Sequence, residues 1–382
     1  MNAPSYAPIL MARVRSLAGA AFLAMVASSC SWLFPPSLTA HGNGPPHGLG
    51  YRQPQTSVVS PEALIGEFVV TGAMMMPRSY HTATLLHNGR VLIAGGDSWT
   101  GNSMTYLASA ELYDPIARTF GAAGNMHAAR ADHVATLLRD RRVLIVGGAR
   151  TAELFDPRTG TFSLTGRPVE GLGIASAILL IDGRVLITDG GGKFEIYNPS
   201  TGRFRETSHL HLAPTARAMD LQPDGKVLID VRGNQPYYQD ACLELFDPVT
   251  ETFSVLRSAD PRCARVNDAM QPNNGPSRSG TITVLRNGKM LLAGGPYCSQ
   301  SGPTGSGVGA VVGVRLPCPP TAKVWIYDPS AKTKIEIEPM HAKRNGHTAT
   351  LLNDGSVLIV GGTSEPNAPD AELYLPAGAG NS

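Results

Sequence analysis

One short pattern recurs six times in this 382-residue chain, and an internal repeat constrains a fold more than any other sequence feature. Its clearest part is an apolar run: Val91-Leu92-Ile93, Val143-Leu144-Ile145, Val185-Leu186-Ile187, Val227-Leu228-Ile229, Met290-Leu291-Leu292 and Val357-Leu358-Ile359. Asn-Gly or Asp-Gly precedes five of the six runs, at Asn88-Gly89, Asp182-Gly183, Asp224-Gly225, Asn287-Gly288 and Asp354-Gly355. Four runs end in a glycine pair: Gly95-Gly96, Gly147-Gly148, Gly294-Gly295 and Gly361-Gly362. The runs begin 52, 42, 42, 63 and 67 residues apart. A second element follows each, an aromatic before a proline turn in most copies: Tyr113-Asp114-Pro115, Phe155-Asp156-Pro157, Tyr197-Asn198-Pro199, Phe246-Asp247-Pro248 and Tyr327-Asp328-Pro329, with Glu372-Leu373-Tyr374 completing the set. A third carries Thr-Phe, at Thr119-Phe120, Thr161-Phe162 and Thr252-Phe253.

These elements read as four strands, a to d, per unit. Strand a of the first unit is expected at His81 to Leu86, and Asn-Gly or Asp-Gly supplies the positive φ angles of a tight a–b hairpin. Strand b is continuously apolar, so both of its faces are buried. Strand c alternates, as a half-buried strand does, and the proline turn leads to strand d. One such sheet cannot bury both faces alone. Six stacked radially can, which predicts an all-β fold, a six-bladed propeller of four antiparallel strands per blade. The sixth unit stops after strand c at Tyr374. Its missing strand is expected at residues 64–72, because Phe68 and Met74 repeat the spacing of Phe120 and Met126. The N-terminal strand then closes the ring without open edges.

The glycine pair after strand b and the aromatic before Asp-Pro resemble the kelch repeat, over about residues 62–376, with Phe in place of the usual strand-d Trp. The segment from Met76 to Gly96, with Tyr80-His81 in the motif position, is similar to the propeller of galactose oxidase, where a Tyr-His pair binds copper. That enzyme also needs a Tyr cross-linked to Cys and a second His from a domain after the propeller. Here no Cys lies between Cys30 and Cys242. No cofactor is therefore expected, copper or zinc near His81 being the minor alternative.

Residues 1–30 read as a signal peptide: Arg13 and Arg15 precede an apolar stretch, Leu17 to Ala27, too short to span a bilayer. Ala27-Ser28-Ser29-Cys30 resembles a bacterial lipobox, which makes Cys30 the candidate lipidation site. Residues 31–61, rich in Pro and Gly, read as a flexible tether, and residues 62–382 as the propeller. Cys242, Cys263, Cys298 and Cys318 remain, an even set suited to an oxidising compartment. They allow three connectivities, and near-neighbour pairs Cys242–Cys263 and Cys298–Cys318 are expected. The location implied is extracytoplasmic, either lipid-anchored at the bacterial outer membrane or cell surface, or secreted. Any membrane contact is expected only through Cys30.

Removing Arg13 and Arg15 from 32 basic residues leaves 30, against 30 acidic ones. A neutral chain with no basic run has no electrostatic footprint for nucleic acid. Candidate sites lie elsewhere. The a–b and c–d turns fall on one face, the d–a and b–c loops on the other. The long segments Asp97–Ser109, Arg232–Ala241, Ser254–Ser277 and Pro296–Ala322 all belong to the second face, where a rigid scaffold presents binding loops. Three units carry Arg-x-x-His with the His as the first residue expected in strand a: Arg78-Ser79-Tyr80-His81, Arg130-Ala131-Asp132-His133 and Arg344-Asn345-Gly346-His347. The others have Ala175, Arg217 and Gly280 at the His position. Ring closure makes units six, one and two neighbours. Arg78, Tyr80, His81, Arg130, Asp132, His133, Arg344 and His347 are therefore the candidate ligand-binding residues, and no catalytic residue or metal ligand is assigned. Repetition of Glu111, Glu153, Glu195, Glu244 and Glu372 at one strand-c position marks those acids as structural. The function expected is a non-enzymatic module binding a protein or carbohydrate partner through the long-loop face. The alternative is a carbohydrate-active enzyme resembling sugar mutarotases or epimerases, or, further off, a galactose-oxidase-like copper oxidase.

Overall fold

The computed structural model describes residues 66–100, 103–168, 176–189, 192–211, 218–230, 241–257, 280–295, 319–362, 365 and 368–377. Every described residue belongs to the unit Ser60–Ser382. Cys30, the expected signal peptide and the tether lie outside the described residues, as do Cys263, Cys298 and Cys318.

Six four-stranded antiparallel sheets follow the repeat. Blade one takes strands a to d from Thr82–Leu85, Val91–Ala94, Ser109–Asp114 and Thr119–Asn125. Blades two to five follow from Val134, Ser176, Ala218 and Thr281. Blade six has Thr348–Leu351, Val357–Val360 and Ala371–Leu375, and its outer strand is the N-terminal Glu67–Val70. Phe68 pairs with Tyr374 in register, as Phe120 pairs with Tyr113 and Phe162 with Phe155. The ring centroids of these three pairs lie 5.3, 4.9 and 4.9 Å apart. The innermost strands lie side by side in the order five, six, one, two, three, four.

The apolar run of strand b explains how the blades adhere. Leu92 and Ala94 pack with Val143, Ile145 and Phe155 of blade two. Val91 and Ile93 point the other way, against Leu358, Val360 and Leu373 of blade six. The same division recurs between blades two and three, three and four, and five and six. Each buried Val, Leu or Ile contributes about 1.5–3 kcal/mol, so strand b dominates these interfaces.

Five expectations are corrected. Strand a begins at Thr82 and ends at Leu85, because Leu86 already belongs to the turn. That turn is a three-residue loop in which the Gly89 N–H reaches the Leu86 carbonyl and the Leu86 N–H reaches Arg90. Of the Asn-Gly pair only Gly89, at φ 82°, is left-handed, and the Asn88 side chain instead accepts the Arg90 N–H at 3.1 Å. In blades two, three and six strand c is not half-buried, with Glu153, Leu154 and Phe155 of blade two all buried, since neighbouring blades cover both of its faces; in blade five the alternation holds. The segment from Ser254 is not loop from its start, as strand d of blade four runs to Arg257. Asp97–Ser109 is no plain loop either. It folds as a two-stranded ribbon, Asp97–Thr100 with Ser103–Tyr106.

A Cβ on Gly361 would lie 2.2 Å from the Arg78 carbonyl, at a backbone φ of 71°. Gly361→Ala is therefore expected to lower the unfolding free energy by roughly 2 kcal/mol or more. Gly121, whose Cβ would meet nothing within 4 Å, is the control, with Gly121→Ala expected within about 0.5 kcal/mol of the parent in denaturant titrations.

Candidate functional site

The Arg-x-x-His segments lead into blades one, two and six on the face of the d–a and b–c loops. Each arginine is buried and turns into its own blade. Arg78 donates to the Gly95 and Ser109 carbonyls, both at 2.9 Å, and to Glu111 at 2.7 Å. Arg130 does the same with Gly147, Thr151 and Glu153, the last at 2.6 Å. Arg344 reaches Gly361, Asp370 and Glu372. Each histidine turns toward the preceding blade. His81 Nε2 lies 2.9 Å from the Thr348 hydroxyl, His133 Nε2 3.0 Å from Thr82, and His347 Nε2 3.1 Å from Thr281. Their Nδ1 atoms are buried without a hydrogen-bond partner.

Burial, and then the Arg130 charge, pushes His133 down to about 3; burial and Arg344 do the same to His347. His81 is held well below the ordinary imidazole range by burial, then by Arg78 and the two other histidines. All three are neutral at physiological pH. Among the described residues, no group of three or more His, Cys, Asp or Glu side chains is arranged to hold a metal ion.

The third motif position differs. Tyr80, Asp132 and Gly346 all adopt left-handed backbone, at φ 52°, 51° and 71°. For the two non-glycine residues this costs roughly 1–3 kcal/mol, compensated by the surrounding bonds. The Tyr80 N–H donates to the Gly346 carbonyl at 2.7 Å, and the Asp132 N–H to the Tyr80 carbonyl at 3.1 Å. Blades six, one and two are thus linked in series by these lead-in segments. The Tyr80 ring lies over Gly346, where a Cβ would sit 3.0 Å from it, and Asn345 Nδ2 reaches the Tyr80 hydroxyl at 3.4 Å. Of the eight candidate residues, only Tyr80 and Asp132 are not buried: Tyr80 is partly exposed and Asp132 exposed.

Two features of this face escaped the sequence. The first is a set of half-exposed histidines, His127, His211 and His341, whose Nδ1 atoms contact Glu153, Glu244 and Glu372 at 3.0, 3.1 and 3.0 Å. The signal was present: each follows a buried or packed Met126, Leu210 or Met340 at one repeat position. Burial alone would raise Glu153, but the His127 N–H and imidazole and the Arg130 guanidinium outweigh it and hold the carboxyl low. The second is the blade-one ribbon, which exposes Trp99, Met104 and Tyr106.

No family model matches the sequence, and neither does any curated protein. Among solved structures, one described as a novel fungal alcohol oxidase with catalytic diversity among the AA5 family, in complex with copper, is 14% identical. The match spans 82% of this chain and 76% of that one, at a TM-score of 0.45. The structure of YjhT is 12% identical, with 80% of this chain and 96% of that one covered, at a TM-score of 0.50. At such identities the likeness concerns the fold alone.

Two measurements check this frame. Glu153→Ala leaves Arg130 buried without its carboxylate and is expected to cost about 3–5 kcal/mol of stability in denaturant unfolding. His133 and His347 bind protons more readily unfolded, near the ordinary 6.5, than folded, near 3. Their stabilisation is therefore complete above about pH 6.5 and is lost as pH falls toward 3. His133→Asn is expected to flatten the fall of unfolding free energy with pH across that window.

Proposed function

We propose that this kelch-type propeller is a non-enzymatic binding module taking a carbohydrate or protein ligand on the face of its d–a and b–c loops. One observation carries the proposal: that face presents a ribbon with Trp99, Met104 and Tyr106 exposed, with Met75 and Met76 also exposed. The opposite face is built of compact turns whose Asn and Asp side chains cap backbone N–H groups, as Asn88, Asp114 and Asp156 do. Exposed aromatic and thioether groups grouped on one loop face are what ligand surfaces carry. The rigid Arg–Glu frame beneath supports a surface that binds without rearranging. Within the Arg-x-x-His motifs, Tyr80 and Asp132 are the contact residues, and the buried Arg and His side chains hold them in place. With Cys30 lipidated, or the signal peptide simply removed, the module would work outside the cytoplasm.

The test is a glycan and peptide array probed with residues 31–382 and with a variant whose Pro296–Ala322 segment, largely outside the described residues, is replaced by a short Gly-Ser linker. Specific binding by the parent, reduced at least roughly tenfold in the variant, supports the proposal. No array ligand bound, or binding indifferent to both the linker variant and Trp99→Ala, would overturn it. Metal analysis of the same protein, made without a histidine tag, is expected to give far less than one copper or zinc per chain. About one per chain, lost in His81→Ala, would return the site to metal chemistry.

A further inference from the structure

The blade-one ribbon places an unneutralised acid at the base of an aromatic surface. Asp97 faces Tyr106 across the ribbon and Trp99 faces Met104, so these four side chains share one face by strand alternation. The other face carries Ser98, whose hydroxyl meets the Met76 sulfur at 4.0 Å and packs the ribbon onto the blade-one lead-in segment. Trp99, Tyr106 and Met104 are 65, 55 and 44% exposed, whereas Asp97, at the ribbon base, is only 7% exposed. The Ser79 and Asp97 backbones pair reciprocally, at 2.9 and 2.8 Å, and pin that base beside Tyr80. Asp97 Oδ1 is buried with no hydrogen-bond partner.

The charges around it are unbalanced. Burial, and then the like charge of Asp132, raises Asp97; burial raises Asp132. The arginines of the two lead-in segments are already committed, Arg78 to Glu111 and Arg130 to Glu153. An orphaned buried carboxylate oxygen, a second carboxylate and an exposed indole together lack one thing: a cationic donor with an apolar body. Asp97 is also unique, because the other glycine pairs are followed by Ala149, Pro296 and Thr363, so it is no part of the repeated frame.

We infer that Asp97 and Asp132 hold the ammonium group of an amino-sugar ligand whose ring stacks on Trp99. The inference rests on the binding function proposed above and names its ligand class. An ammonium supplies three donors to be shared between the two carboxyl groups and offsets the acid pair. The sugar ring offers an aliphatic face to the indole and leaves its hydroxyls to solvent and to Tyr80.

The experiment is calorimetric titration of residues 31–382 with a β-1,4-linked glucosamine trimer, its amines protonated, and with the same trimer fully N-acetylated. The free-amine trimer is expected to bind at least roughly tenfold more tightly, with affinity falling as salt rises. Asp97→Asn is expected to abolish that preference, and Trp99→Ala to weaken binding of the amine trimer without changing the thermal midpoint. Asp132→Asn, at an exposed position, keeps the test independent of folding effects at Asp97 and is expected to reduce the preference as well. Equal binding of the two trimers would overturn the inference while leaving a carbohydrate-binding face intact. Failure of both trimers to bind would also overturn it, and the array then decides the proposed function separately. A preference unchanged in both aspartate variants would place the ammonium elsewhere and equally overturn it.

Discussion

The ring depends on a contact that only glycine permits. A Cβ on Gly361 of blade six would lie 2.2 Å from the Arg78 carbonyl and 2.6 Å from the His81 ring of blade one. Gly95 stands in the same relation to Arg130 and His133, and Gly294 to His347. The second glycine of a pair meets its own blade instead, as Gly96 does with Ser79 and His81. Gly95-Gly96 and Gly361-Gly362 are thus each clasped between two lead-in segments, and the glycine N–H groups are used as well, Gly96 donating to the Arg130 carbonyl at 2.8 Å and Gly362 to that of Arg78 at 3.0 Å. Close backbone approach is what aligns one blade on the next.

Around that clasp, the carboxylates of the repeated frame are saturated with partners. Glu153 accepts from two backbone N–H groups, from His127 and from Arg130. Glu372 serves His341 and Arg344 in the same way. A buried ion pair gives little net stability against an apolar replacement, yet breaking one partner is costly. Its contribution here is orientation: it fixes the d–a segment against strands b and c of its own blade. The face carrying Tyr80, Asp132 and the ribbon is therefore a surface mounted on fixed supports.

The two proposals use what this frame leaves over. Six buried Arg and His side chains are consumed by the repeat, so their convergence on one sector describes a joint between blades. What the repeat does not consume is irregular: Asp97 after one glycine pair alone, and a ribbon inserted, among the described residues, into blade one alone. Catalytic or binding chemistry needs such exceptions, because a group present in every unit answers to the fold.

Much of this was legible in the residues. Strand b was readable because a Val-Leu-Ile run has no polar face to offer solvent, and Phe68 disclosed ring closure by repeating the spacing of Phe120. The Asn88-Gly89 turn was misread because Asn and Gly each tolerate left-handed backbone, and only the loop's hydrogen bonds decide which one adopts it. Strand c of blades two, three and six was misread because alternation records one sheet's faces and not the neighbours that cover them. The sequence by itself determined the number of blades, their strand order and how the ring closes, since those follow from local periodicity repeated along the chain. Only the tertiary structure decided that Arg78 and His81 turn inward while Tyr80 and Asp132 face out, and that Asp97 lies buried without a partner. Those outcomes depend on distances between residues of different blades, which no run of neighbouring residues encodes.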